Sequence, residues 1–170
     1  MLKIRMAAKD DVKNMIDLWA ETRNWEFKNP RYEEDWLAAP VSYVLELADR
    51  LERSIEDGMV MVAYDGRYLV GFSVTASYTP EGQAPECLFL NEIYVSKTIQ
   101  EVDVASELIR QIGKKAAIEG YQRMSIGISS DRRDNLKEQC IRLGAKYTWT
   151  QGLNYCYYEN YEWRDLSVFL

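Results

Sequence analysis

Residues 88–128 read in order as strand, turn, helix and strand, and that order narrows the fold more than any other feature of the 170-residue chain. Residues 88–95 (LFLNEIYV) are apolar and β-prone, and residues 96–103 (SKTIQEVD) break the run. Val104, Ala105, Leu108, Ile109, Ile112 and Ala116 then recur at helical spacing, with Gly120 as the stop. Residues 123–128 (RMSIGI) read as the next strand. A helix of that length between two strands serves as a crossover, so the strands pair in parallel. The first N–H groups of a helix have no intrahelical partners, and the turn before Val104 therefore suits a phosphate or pyrophosphate.

The flanking segments extend the pattern. Residues 2–6 alternate as a strand, Asp10 and Asp11 sit where a helix start favours anions, and Val12, Met15, Ile16 and Trp19 mark one apolar face. Residues 22–40 lose periodicity and are rich in rings, with Trp25, Phe27, Tyr32 and Trp36 expected to pin a loop to the core. Val41, Val44, Leu45, Ala48, Leu51 and Ile55 give a second amphipathic helix that Gly58 ends. Asp65-Gly66 between two β-prone runs predicts a hairpin whose turn takes in Arg67. Leu136, Cys140 and Leu143 mark a short helix closed by Gly144, and residues 146–150 and 153–158 read as a hairpin around Gln151-Gly152.

Charge and residue usage exclude several classes of function. A net charge of −6 argues against a nucleic-acid surface, and the basic doublets Lys114-Lys115 and Arg132-Arg133 read as solvated positions. No apolar run approaches ~20 residues and no secretory leader is evident, so a cytoplasmic protein without a membrane span is expected. Cys87, Cys140 and Cys156 are odd in number and widely spaced, which suits reduced thiols rather than a disulfide framework or a zinc site. Histidine is absent, which removes Ser-His-Asp hydrolysis, Cys-His proteolysis and His-based metal chemistry.

Val95, the run Gln100-Glu101-Val102-Asp103-Val104-Ala105 and Leu108 together resemble motif A of the GNAT acetyltransferase superfamily. That motif is written Arg/Gln-x-x-Gly-x-Gly/Ala after a strand ending in Val, and here Asp103 stands in place of its first glycine. Arg142-Leu143-Gly144-Ala145 resembles the end of motif B, with Ala145 where the family has an aromatic, and the opening Ile4-Arg5, Asp11, Ile16 is also similar. The likeness runs from residue 2 to about residue 158.

The resemblance implies an α/β (α+β) fold with a mixed six- to seven-stranded sheet, antiparallel except at its centre, flanked by about four helices. Strands 59–64, 68–75 and 88–95 would form an antiparallel meander. The domain would cover residues 1–159, leaving 160–170 as an apolar tail that packs back or else docks on a protein partner or second copy. The implied activity is acetyl transfer from acetyl-CoA to a primary amine by direct attack. Tyr94, Val95 and the turn amides of Gln100, Glu101, Val102, Asp103, Val104 and Ala105 would hold the cofactor. A family tyrosine that protonates the departing thiolate aligns with Cys140, whose place on an apolar helix face equally fits core packing; Tyr147 and Tyr155 are the substitutes. Glu92, three residues before Val95, is the candidate base, its place on a half-exposed strand equally fitting a side chain that points to solvent, with Asn91 or Tyr94 orienting the acceptor. Glu26, Glu33, Glu34, Asp35 and Glu92 would suit a cationic acceptor, either a small amine or a lysine side chain. The other reading is a catalytically degenerate member serving as a binding or structural module, a kind that includes phage-encoded proteins.

Overall fold

Asp65-Gly66 turns the chain as its residue types demand: Gly66 takes φ +59°, and Asp65 and Tyr68 close the ladder on either side of Gly66-Arg67. The computed structural model describes residues 1–26, 41–99, 103–132, 134–153 and 156–170. In chain order these form β1 (Leu2–Met6), a 3₁₀ turn (Lys9–Asp11), α1 (Val12–Glu26), α2 (Val41–Glu56), β2 (Val60–Asp65), β3 (Tyr68–Tyr78) and β4 (Cys87–Val95). There follow α3 (Val104–Ile118), β5 (Arg123–Ser129), α4 (Leu136–Arg142), β6 (Lys146–Leu153), β7 (Cys156–Trp163) and a last 3₁₀ turn (Leu166–Phe169). Among the described residues these strands form a seven-stranded sheet in the order β1-β2-β3-β4-β5-β7-β6, with β4 and β5 its only parallel pair. The expected meander and central crossover are both present.

Each face of the sheet carries its own core. Leu88, Leu90, Ile93, Met124 and Ile126 pack with Val104, Leu108, Ile109 and Ile112 of α3 and Leu136 and Cys140 of α4. On the opposite face Val60, Val62, Phe72, Val74 and Tyr94 meet Met15, Leu18 and Trp19 of α1 and Leu47 and Leu51 of α2. The start of α3 presses closely on β3, because a Cβ at Gly71 would come within 2.7 Å of Val104 Cγ1. That contact fixes the N-terminus of α3 beside the end of β4. Below the sheet edge, Asp11 is buried and accepts from Arg5, the Ala8 N–H and Tyr64. Burial works to raise its pKa, yet these donors outweigh it and hold the carboxyl at about 2, so it stays ionised while it ties β1, α1 and β2 together.

Three expectations change. Helix α1 runs on to Glu26, so residues 22–26 are helical rather than loop; Phe27, Tyr32 and Trp36 lie outside the described residues. Strand β6 passes through Gln151 and Gly152, which pair with Tyr158 and Tyr157, and its connection to β7 lies further along than the glycine suggested. Strand β7 continues to Trp163, and the following turn seats Phe169 against Gly113 of α3, where a Cβ would approach the ring to 2.3 Å. Residues 160–163 thus belong to the sheet and the rest of the chain's end packs on the domain.

Candidate active site

Strand β4 changes character midway. Its parallel ladder with β5 runs only from Cys87↔Arg123 to Leu90↔Ile126, whereas its antiparallel ladder with β3 continues to Val95↔Gly71. On β3 the register shifts between Val74, opposite Glu92, and Thr75, opposite Leu90, which leaves Asn91 as the extra residue of a β-bulge. Beyond the bulge the Ser96 N–H bonds to Val70 O on β3 at 2.8 Å. Strand alternation then directs the peptide groups of Ile93 and Val95 away from β3, into the wedge that opens where β5 has departed. Exposed peptide groups at such an edge need partners. Ile93 O has one in Arg132, and a ligand arm bearing secondary amides is of a kind that could supply the rest.

The bulge also sets the side chains on either side of the wedge. Ile93 faces α3, and Tyr94 faces α1 and α2, its ring 5.1 Å from that of Phe72. Glu92, on the α2 side, is 20% exposed and its Oε1 accepts from Arg50 Nη1. Its second oxygen, Oε2, is buried with no hydrogen-bond partner among the described residues. A buried carboxylate oxygen without a donor is costly and points to a group that arrives later. Burial works to lower the Arg50 pKa, and Glu92 more than offsets it. Arg50 also lines a cavity of about 400 Å³ with Tyr43, Glu46, Leu47, Asp49 and Arg53. The expected acidic residues Glu33, Glu34 and Asp35 lie outside the described residues, as does any account of the Glu26 side chain.

At the start of α3, Asp103 is the N-cap. Its Oδ1 accepts from the Ser106 N–H at 3.1 Å, and its Oδ2 accepts from Ser106 Oγ at 2.5 Å and from Arg142 Nη2 at 3.0 Å. The carboxylate so placed occupies part of the anion site that the helix end provides, while the N–H groups of Val104 and Ala105 keep no intrahelical partner. Gln100, Glu101 and Val102 lie outside the described residues. The wedge and the first-turn amides together fit an arm with amides followed by a phosphate, the chemistry of the cofactor that the resemblance implies. Asp103 narrows the phosphate end of that fit.

The other candidates scatter. Cys140 is fully buried in the core between α4 and the sheet, where burial pushes its thiol up to about 12. A group with that placement and basicity packs and does not pass protons at neutral pH. Tyr147 stands exposed on β6 at the far edge of the sheet, its hydroxyl bonded to Thr150, and Tyr155 lies outside the described residues. Arg132, read from the sequence as solvated, is instead 11% exposed: it donates through Nη2 to Ile93 O at 2.9 Å and forms an ion pair with Asp134 at 2.8 Å. Its span of 39 positions to Ile93, like the 42 between Arg50 and Glu92, leaves no local pattern in the sequence.

The acetyltransferase (GNAT) family profile matches residues 16–137. No curated protein matches the chain in sequence. An N-acetyltransferase from Staphylococcus aureus is 18% identical, with 98% of this chain and 99% of that one superposed at a TM-score of 0.74. PaiA N-acetyltransferase from Thermoplasma acidophilum, solved in complex with coenzyme A, is 14% identical over 97% and 99% of the two chains at 0.76. The Drosophila melanogaster polyamine N-acetyltransferase, which forms N-acetylagmatine, is 12% identical over 96% and 100% at 0.73. At such identities the structures share the fold. Because the family profile spans most of the chain, this protein belongs to the GNAT acetyltransferase family.

Proposed function

We propose that the chain transfers an acetyl group from acetyl-CoA to a primary amine by direct attack. The observation that carries this reading is the wedge beyond Leu90, bordered by the peptide groups of Ile93 and Val95, with the unpartnered oxygen of Glu92 on the same stretch of β4. Bound acetyl-CoA supplies an activated thioester whose carbonyl carbon an amine attacks with loss of the thiolate. Tyr94 and Val95 would bind its arm along β4, and Val104 and Ala105 would receive its pyrophosphate at the start of α3, with Asp103 as the cap between them. Glu92 Oε2 takes the proton from the amine, directly or through water, while Arg50 holds Oε1 and fixes the carboxylate's direction. The adjoining cavity holds Glu46 and Asp49 beside Arg50 and Arg53, and with Arg50 turned to Glu92 its carboxylates offer partners to a cationic acceptor, a small amine or a lysine side chain. Cys140 has no part in this scheme, and the thiolate takes its proton from solvent.

Thermal unfolding with increasing acetyl-CoA tests the reading. A ligand at ~100 times its dissociation constant adds about 2.7 kcal/mol to the folded state, so a dose-dependent rise in melting temperature is the expected outcome. An amine screen that follows release of free thiol then identifies the acceptor class. Asp103 on the α3 N-terminus favours a second reading, a family member without catalysis that serves as a binding module. Unchanged melting at millimolar acetyl-CoA would select it.

A further inference from the structure

We infer that Arg132 is a built-in competitor for the arm of the acyl donor, closing the wedge in the free protein; this rests on the acetyl-CoA reading above. The parallel ladder that would satisfy β4 stops at Leu90, so the next peptide carbonyl directed into the wedge, Ile93 O, must find a partner elsewhere. Arg132, in the segment between β5 and α4, is that partner at 2.9 Å. The guanidinium does not reach there alone. Its Nε lies 2.8 Å from both oxygens of Asp134, and Asp134 Oδ1 accepts in turn from the Leu136 N–H at the first turn of α4. With Arg132 11% and Asp134 16% exposed, the pair is largely out of water, where a charge-assisted fork holds its geometry well.

The result is a brace from β4 to α4 across the place where the two strands part. An N–H of the guanidinium presents to Ile93 O what an amide N–H of an incoming arm would present. An arm seated along β4 therefore displaces Arg132, and the apparent affinity for the donor is lowered by the fraction of molecules in which the brace is closed. A hydrogen bond from a charged donor to a carbonyl is strong enough for that factor to be about tenfold. Asp134 sets the factor from the other end, because it holds the guanidinium in place without touching the wedge.

Calorimetric titration of acetyl-CoA into the wild type, Arg132→Ala and Asp134→Asn decides the point, with melting temperatures taken in parallel. The expected result is a roughly tenfold lower Kd for Arg132→Ala and a smaller gain for Asp134→Asn. Binding by Arg132→Ala where the wild type shows none also supports the brace as a closure. Equal or weaker binding by Arg132→Ala, with normal binding by the wild type, overturns the inference and leaves the donor site intact. Should Arg132→Ala fail to fold, Asp134→Asn carries the test alone, and an unchanged Kd overturns the inference. If neither the wild type nor the variants bind, the donor reading itself fails and the closure falls with it.

Discussion

The two halves of β4 lie on one strand and have opposite uses. Residues 87–90 are paired on both sides and, apart from Phe89, buried; residues 91–95 are paired only with β3 and border the wedge. Leu88 and Leu90 of the first half and Ile93 of the second all belong to the α3 core. The difference is one of pairing: removing a single neighbour strand turns core backbone into a binding edge, and the bulge at Asn91 re-aims the side chains beside it. A strand can therefore anchor a domain with one end and present its site with the other.

Glu92→Gln gives the sharpest test of that division. It should lower the rate of acetyl transfer about a thousandfold, as loss of a general base does, and shift the melting temperature by only a few degrees. Comparable losses in both would mean that the second half of β4 is structural after all. Leu88→Ala, in the first half, should do the reverse: a fall in unfolding free energy of about 3 kcal/mol by denaturant titration, with the acetyl-CoA Kd of the folded protein unchanged. A Kd that moves with it would break the separation between the halves. Asp103→Gly has the smallest expected effect and sharpens the boundary at the α3 end. Glycine is nearly as good an N-cap as aspartate, so stability should change by about a few tenths of a kcal/mol. Removing the carboxylate from the helix end should tighten acetyl-CoA about threefold by calorimetry, given the usual strength of a charge at that position. Unchanged or weaker binding would count against the alignment of this turn with the phosphate site.

The fold was readable because its signals are local. Asp65-Gly66 fixed a hairpin, and helical spacing from Val104 to Ala116 fixed a crossover and hence the parallel pair. The one misplaced turn, at Gln151-Gly152, shows the limit: Gly152 sits in the β6 ladder opposite Tyr157, with that ring 3.6 Å from where a Cβ would stand, so pairing with β7 overrode the local turn preference. At the candidate site the strand that carries Glu92, Tyr94 and Val95 and the helix start at Asp103 were legible for the same reason. Arg50 and Arg132 were not, since each acts on β4 from an element far away in sequence. Cys140 teaches the converse lesson. Alignment with the family's tyrosine gave it a chemical role, whereas its spacing with Leu136 and Leu143 had already placed it on an apolar face, and that spacing agrees with its full burial.

Among the described residues, the four pairs that join β4 to β5 are the ladder that links one antiparallel group of the sheet, β1 to β4, to the other, β5 to β7. Neighbouring strands such as β2 and β3 or β6 and β7 meet across short connections, but this seam closes only after the whole crossover through α3 has been laid down. Contacts of that kind form late in folding, because loop closure precedes the reward for it. The line along which the protein receives its ligand is thus one that closes after the hairpins on either side of it.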